Sequence, residues 1–403
     1  MKRVVLAATR TAAAAGALCA ATLVTSGAPA PAHAYDIAAT RPLATEAQVP
    51  SVVAYWLGGD GRALAAATPY ALRLKVSARQ TENGAAPDGK PGGVRPADSG
   101  SAQEKAGQEK AGQGKTAAGK TPSANPPGAK PDGGKPAQDT TDPDRTAQDG
   151  NRTAASKNVN LPRTTGRVFF VGSDDKPHWC SGTSVQGPHR NLVATAGHCV
   201  FDTETDGAPM RKWIFIPGYQ PGAAPFGVYA GKQAFTHHDF ATYRDLDRDY
   251  AFVAVHNGLA PQPSRTPGRV IKLADGGRLG DGVGGQGLAY NQEIGRRTVI
   301  LGHSAPPVRG ATFRLQDPSI HANALLGLKS SRTTDGSSWL IGYRKTGRLG
   351  YLNGVAIATS GGAAVSPYFD SELFSVYVAA RKVRSGAVPG GVFRDGANEI
   401  NIL

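Results

Sequence analysis

The chain has 403 residues, of which 52 are glycine and 29 are proline, spread along its whole length. These residue types cost about 1 and about 3 kcal/mol in helix interiors, so the composition excludes a helical bundle or a coiled coil and favours β-structure combined with unstructured sequence. The 45 basic and 31 acidic residues give a net charge of +14. No Arg-rich helix or RNA-binding signature accompanies this excess, so we expect no nucleic acid partner.

The first 34 residues have the pattern of a secretory signal peptide. Lys2 and Arg3 precede an apolar, alanine-rich run that closes on the A-x-A sequence Ala32-His33-Ala34. The run is too short and too weakly apolar for a membrane span. We therefore expect residues 1–34 to be removed and the chain to be secreted, without stable membrane insertion.

Removal of this segment takes away Cys19 and leaves Cys180 and Cys199. Two cysteines in a secreted chain most simply form one disulfide, which here would close a loop of about 20 residues. The sequence therefore predicts a Cys180–Cys199 bond.

Two segments precede the main domain. Residues 35–78 contain a small apolar island that is too short to fold alone, and we interpret it as a short pro-segment or a docking region. Residues 79–157 contain almost no large apolar side chains and cannot bury enough surface to offset the entropy of the chain. This second segment is predicted to be a disordered, protease-sensitive linker.

From residue 158 to 403 the composition changes to short β-branched and aromatic runs separated by glycine, proline and aspartate. Many short strands with turn signals between them indicate an all-β domain of the sandwich or barrel type, of a size that could divide into two barrels. Only residues 371–382 have apolar side chains at helical spacing, so one helix is predicted near the end of the domain.

The most specific signal is the sequence Cys180-Ser181-Gly182-Thr183 followed by Ala194-Thr195-Ala196-Gly197-His198-Cys199. It resembles the trypsin-like (chymotrypsin-fold) serine peptidases, in particular a secreted actinobacterial branch. The resemblance implies two antiparallel β-barrels with a C-terminal helix. It also implies that His198 is a general base, held in place by the neighbouring disulfide.

Asp249 and the apolar run 250–255 that follows it resemble a second motif of the same family. Asp249 lies 51 residues after His198. A carboxylate in this position can accept the second imidazole N–H and stabilise the imidazolium formed during catalysis. Asp249 is therefore the candidate third member of a Ser-His-Asp triad.

The nucleophile motif departs from the family pattern G-x-S-G-G-P. Anchored on its left side, the sequence Gly336-Ser337-Ser338 makes Ser338 the nucleophile and assigns the oxyanion hole to the amides of Gly336 and Ser338. Ser337 is an alternative. Anchored on its right side at Trp339, the motif instead places Asp335 at the catalytic position, and the protein would then be inactive.

From these motifs we predict a secreted, monomeric serine endopeptidase acting on protein or peptide substrates through Ser338, His198 and Asp249, with no metal and no cofactor. The alternative is a catalytically inactive homologue that serves as an extracellular binding module. With Ser338 as nucleophile, the specificity position six residues earlier is Arg332, whose guanidinium would favour acidic side chains.

Overall fold

The computed structural model describes residues 36–72, 79–81, 89–99, 161–202, 205, 207–262, 270–303, 306–316, 325–394 and 400–402. The predicted signal peptide and most of the predicted linker lie outside the described residues. None of the helices within the described ranges is both long enough and apolar enough to span a membrane.

The strands before and within the first half of the domain are β1 (Ile37–Ala39), β2 (Thr68–Pro69), β3 (Arg79–Thr81), β4 (Gly92–Val94), β5 (Thr165–Val171), β6 (Pro177–Val185), β7 (Leu192–Thr195), β8 (Arg211–Pro217), β9 (Tyr229–His237) and β10 (Ala251–Val255). Those of the second half are β11 (Gly258–Gln262), β12 (Val270–Gly277), β13 (Gly287–Tyr290), β14 (Arg297–Leu301), β15 (Val308–Ala311), β16 (Phe313–Gln316), β17 (Leu325–Lys329), β18 (Ser338–Arg344), β19 (Leu349–Val355), β20 (Ala358–Ser360), β21 (Ala363–Pro367), β22 (Gly391–Arg394) and β23 (Ile400–Ile402).

The helices are α1 (Val49–Ala66), α2 (His238–Tyr243), α3 (Leu279–Val283) and α4 (Ser371–Ala380). The first of these is interrupted by non-helical backbone from Gly58 to Gly61. The predicted C-terminal helix corresponds to α4, which begins where the Asp370 side chain accepts a hydrogen bond from the Leu373 amide at 2.8 Å. This N-cap satisfies a backbone donor that the first turn of the helix leaves unpaired.

Six strands of the first half form a closed antiparallel barrel. The hydrogen-bonded order is β5, β6, β7, β10, β9 and β8, and β8 pairs again with β5. Closure leaves no open edge in this ring, and the inward side chains of every strand are almost completely buried. The predicted all-β fold is thereby confirmed.

The described strands of the second half form three further sheets, in the orders β15-β14-β18-β19-β13-β4, β20-β21-β17-β16-β3 and β11-β12-β22-β23. Strands β3 and β4 belong to the segment predicted to be a disordered linker. Each has only three residues and joins its sheet through backbone hydrogen bonds, which leave no apolar pattern in the sequence. The predicted linker therefore begins with ordered structure, and its residues 100–157 lie outside the described residues.

The apolar island of residues 35–78 packs on the outside of the first barrel. Trp56, on α1, is completely buried, lies 5.6 Å from the Phe169 ring and donates a hydrogen bond from its Nε1 to the Lys212 carbonyl at 2.6 Å. Strand β1 pairs with β9. Because Trp56 and Phe169 belong to one apolar cluster, the described part of this segment packs against the barrel wall.

Candidate active site

The turn that carries His198 is held from three sides. His198 lies in a single helical turn, Gly197–Cys199, directly after β7. Cys199 is disulfide-bonded to Cys180 of β6, and its carbonyl accepts a hydrogen bond from the Trp213 indole at 3.1 Å. At Gly197 a side chain would be only 2.5 Å from the Phe240 ring, so glycine lets the turn approach that ring.

We predict that reducing the Cys180–Cys199 disulfide lowers the free energy of unfolding by about 3 kcal/mol. The disulfide closes a loop of about 20 residues, and reduction releases this loop in the unfolded chain. The measurement is urea unfolding of oxidised and reduced protein, with the free thiols then alkylated. Mass spectrometry of peptides from the purified, non-reduced protein provides the control. Two free thiols in that sample would contradict the prediction.

Asp249 contacts His198 through both carboxylate oxygens. Its Oδ2 lies 2.7 Å from His198 Nδ1, and its Oδ1 accepts a hydrogen bond from the His198 backbone amide at 2.9 Å. Both side chains are fully buried. The structure thus brings these two predicted residues together, in an arrangement that fixes the tautomer and orientation of the ring.

The opposite edge of the imidazole, at Nε2, contacts Asp335 rather than a serine. Asp335 Oδ2 lies 3.2 Å from His198 Nε2, as an ion pair without the alignment of a regular hydrogen bond. The Asp335 carbonyl accepts a hydrogen bond from the Ser181 amide at 2.8 Å, which ties this loop to β6 beside the disulfide. His198 is therefore placed between two carboxylates.

Gly336 makes this loop conformation possible. Its φ of +79° lies in the left-handed region, and an added Cβ would be 2.0 Å from the Ser181 carbonyl oxygen. Its amide donates a hydrogen bond to the Ala356 carbonyl at 2.7 Å. That amide is thus engaged within the fold, and the predicted assignment of Gly336 to an oxyanion hole is corrected.

The structure does not bring Ser338 to His198. Ser338 is the first residue of β18, is completely buried, and donates its hydroxyl hydrogen to the Leu301 carbonyl at 3.2 Å. Because β18 pairs with β14 on one side and β19 on the other, the Ser338 amide also belongs to the sheet, away from any oxyanion hole. Ser337 donates its hydroxyl hydrogen to the Thr334 carbonyl at 2.5 Å. The residue facing the imidazole is Asp335, as the right-anchored alignment predicts.

The charges around the imidazole keep it protonated. Burial by itself lowers the pKa of His198, but the charge and hydrogen bond of Asp249 together with the carboxylate of Asp335 outweigh it and raise that pKa to about 10. Burial raises the pKa of Asp335, against the lowering effect of His198 and of a hydrogen bond from the Leu72 amide. The two carboxylates therefore favour the imidazolium form of His198 over the neutral form that a general base requires.

We predict that stability decreases as the pH rises from about 6.5 to about 10. In this window the folded state keeps the His198 proton while the unfolded chain has lost it, so the folded state binds more protons and is destabilised by increasing pH. Urea unfolding at several pH values measures the effect. In Asp335→Asn, the pKa of His198 is expected to fall and the window to become narrower; an unchanged profile would contradict the assignment.

Arg332 does not form a pocket in the structure. Its side chain is exposed, and its backbone amide bonds to the Ser330 hydroxyl at 3.2 Å. The basic residue that lines a cavity nearby is Lys329, at the end of β17, where the cavity has a volume of about 170 Å³. Arg332 does not line this cavity, and its role as a specificity residue stays a prediction.

Cys180, His198 and Cys199 place two sulfur atoms and a nitrogen within 4.8 Å of one another, a spacing that suits metal ligands. Both sulfur atoms are in the disulfide, however, and neither is available as a thiolate. The cluster therefore serves to hold the His198 turn.

Sequence reasoning did not identify the segment that covers the centre. Tyr70, which directly follows β2, has its ring centroid 6.0 Å from that of His198. The sequence contains no motif for this contact. The short sequence Thr68-Pro69-Tyr70 has no hydrophobic periodicity, so it gives no sign of which distant segment it contacts.

Among the solved structures that are similar to this chain, three proteases each match somewhat more than half of it. Protease Anisep from Arthrobacter nicotinovorans is 23% identical over 56% of this chain and 98% of its own, with a TM-score of 0.43. The thermostable serine protease AL20 from an extremophilic microorganism is 23% identical over 55% and 98%, with a TM-score of 0.44. A Glu endopeptidase is 16% identical over 56% and 95%, with a TM-score of 0.41. No family model and no curated protein matches the chain.

Proposed function

We propose that this protein is a catalytically inactive homologue of secreted serine peptidases that acts as an extracellular binding module. The observation that carries the proposal is the ion pair between His198 Nε2 and Asp335, at the side of the imidazole where a nucleophilic hydroxyl would have to lie. The Asp249 contact is of the kind a triad uses, so the difference from an active site lies in this one position.

Two physical reasons make this centre unsuited to peptide hydrolysis. A general base must be neutral to take the proton of a nucleophile, whereas the charges of the two carboxylates favour the protonated form of His198. The carboxylate of Asp335 carries no hydroxyl proton for the imidazole to remove while ionised, and it is already paired with the imidazolium. A triad-based peptidase mechanism therefore lacks both its base and its hydroxyl nucleophile at this centre.

The test is labelling of the intact chain with a fluorophosphonate probe, which reacts with activated serines. We expect no labelling of folded, disulfide-bonded protein, while an unrelated active serine hydrolase in the same tube is labelled. Stoichiometric labelling would overturn the proposal. If that labelling then disappeared in Ser338→Ala, the chain would be the Ser338-dependent endopeptidase that the left-anchored alignment predicts.

A further inference from the structure

One end of the sheet that contains β15, β14, β18 and β19 collects basic residues from all four of these strands. Adjacent strands among the four are antiparallel, so the starts of β14 and β19 lie beside the ends of β15 and β18. A basic residue stands at each of these strand ends or within two residues of it. The basic residues are Arg296, Arg297, Arg309, Arg344, Lys345 and Arg348, and all six are exposed.

The register of β14 and β15 brings two of the arginines together on one face. Arg297 pairs with Ala311, and Arg309 pairs with Val299. Side chains two residues apart along a strand point to the same face, so Arg297 and Arg309 are diagonal neighbours on that face. Residues in this relation lie about 7–8 Å apart.

The turn between β18 and β19 adds the other basic residues of this sheet end. Arg344 closes β18, and Lys345 and Arg348 follow in the turn. Because β18 pairs with β14, the turn lies beside the start of β14. Burial raises the pKa of Tyr343, and the charges of Arg348 and Arg309 oppose this rise. The turn is therefore within electrostatic reach of β15 as well.

This sheet end has no acidic residues of its own to balance the charge. Residues 294–316 and 336–369, which contain the four strands, have no aspartate or glutamate. Within the described ranges, none of the six basic side chains forms an ion pair. Arg296 donates to the Gln292 side-chain oxygen at 3.1 Å and Arg348 to the Leu161 carbonyl at 3.2 Å, and both acceptors are neutral. The fold thus brings like charges together without neutralising them, at a cost in stability.

A partner that neutralises this surface has to present several anionic groups along its length. Neighbouring strands lie about 4.8 Å apart, so cations spread over four strands and a turn extend well beyond the size of one small ion. Five of the six are arginine, whose planar guanidinium forms paired hydrogen bonds with the oxygens of an anionic group. Exposed side chains at a sheet end suit a linear polymer that lies across the surface.

The aromatic residues of this sheet end favour a polysaccharide over a nucleic acid. A single-stranded nucleic acid gains much of its affinity by stacking bases on exposed aromatic faces. Tyr343 and Tyr351 at this end are half-buried. The exposed tyrosines within the described ranges, Tyr55 and Tyr243, belong to α1 and α2. The surface therefore offers charge without a stacking platform.

From this arrangement we infer that the positive sheet end, formed by the six basic residues named above, is a binding surface for a linear acidic polysaccharide. The guanidinium groups of Arg297, Arg309 and Arg344 bind its anionic groups. The inference supplies a partner for the binding module proposed above and rests on that proposal only in this respect. It uses none of the residues that contact His198.

The experiment measures binding of a fluorescein-labelled heparin dodecasaccharide to the full chain by fluorescence anisotropy. We expect Arg297→Ala/Arg309→Ala to bind at least about tenfold more weakly than the wild type, because charge-assisted hydrogen bonds are the strong ones. Lys382→Ala/Arg384→Ala is the matched control. It removes the same charge from exposed positions after α4 and is expected to stay within about twofold of the wild type, since distant charges are screened by salt. Equal losses in the two variants would overturn the inference, because binding would then follow net charge alone.

Salt dependence and a second polymer test the chemistry of recognition. The slope of log affinity against log salt is expected to become shallower by about 1 for each arginine removed at positions 297 and 309, and to stay the same in the control. A labelled oligothymidine with the same number of negative charges is expected to bind the wild type at least about tenfold more weakly than heparin, because it finds no stacking platform. Oligothymidine binding as tight as that of heparin would replace the polysaccharide by a nucleic acid and overturn the inference.

If the arginine variants do not fold, chemical modification of the wild type provides the second measurement. Hydroxyphenylglyoxal modifies exposed arginines, and peptide mass spectrometry locates them. Heparin is expected to slow modification of Arg297, Arg309 and Arg344 and to leave Arg384 unchanged. Equal protection at all four positions, or protection at none, would contradict the inference.

The polysaccharide measurements and the fluorophosphonate test are independent of each other. Labelling of the wild type would contradict the inactive centre and leave heparin binding as measured. Loss of the heparin result would leave the inactive centre in place, so the two proposals can fail separately.

Discussion

Replacing Asp335 with serine is expected to make the protein react with a fluorophosphonate probe. The substitution puts a hydroxyl on the side of His198 Nε2 that the Asp335 carboxylate now occupies, where its nearest oxygen is 3.2 Å from that nitrogen. It also removes one of the two negative charges that raise the pKa of His198, which moves the imidazole towards a titrating base. General-base assistance of this kind contributes about 10²–10⁴-fold, and we expect a labelling rate above the wild type by a factor in that range.

The control variants test whether labelling requires a hydroxyl at position 335. Asp335→Asn removes the charge without adding a hydroxyl and is expected to stay unlabelled. Ser338→Ala in the Asp335→Ser background is expected to leave labelling unchanged, because the Ser338 hydroxyl bonds to the Leu301 carbonyl within the sheet. Since Tyr70 covers the centre, adding Tyr70→Ala should speed the reaction. A folded Asp335→Ser/Tyr70→Ala protein without labelling would contradict the assignment of Asp335 to the nucleophile position.

Replacing Asp249 with alanine is expected to lower the free energy of unfolding by about 3–5 kcal/mol, the range found when one partner of a buried ion pair is removed. The His198 imidazolium and its backbone amide would both lose their hydrogen-bond acceptor in a fully buried position. The imidazole would then have only the poorly aligned contact with Asp335.

Urea unfolding near neutral pH measures the effect of Asp249→Ala. Glu293→Ala is the matched control, because this acidic side chain is exposed, and its removal is expected to change stability by less than about 0.5 kcal/mol. Asp249→Asn keeps an acceptor oxygen for the backbone amide and should lose less than the alanine variant. A loss for Asp249→Ala as small as that of the control would show that the pair does not stabilise the fold.

Local patterns were sufficient for the parts of the site that lie within continuous segments of sequence. The segment ending in His198-Cys199 and the apolar run after Asp249 each combine a chemical group with the strand or turn that carries it. The structure accordingly brings His198 and Asp249 into contact and contains the predicted disulfide. The strands of the first barrel were also visible, since buried β-branched and aromatic runs leave a pattern that does not depend on their partners.

The identity of the residue facing the imidazole was not determined by the sequence, which allowed Ser338, Ser337 or Asp335. The choice depends on the register of β18, because its pairing with Leu301 of β14 and Val355 of β19 starts the strand at Ser338 and leaves Asp335 in the preceding turn. Register is set by sheet partners that are distant in sequence, and a shift of one residue turns every side chain of the strand to the opposite face.

The covering of the centre by residues 68–72 was likewise decided only by the tertiary structure. The sequence by itself determined an all-β domain with a His198–Asp249 pair held by one disulfide. It could not indicate that Tyr70 lies over His198, because the segment is held by backbone hydrogen bonds and by one ring, and backbone groups are the same in every residue. Only the folded chain shows that the Tyr70 amide meets the Trp179 carbonyl.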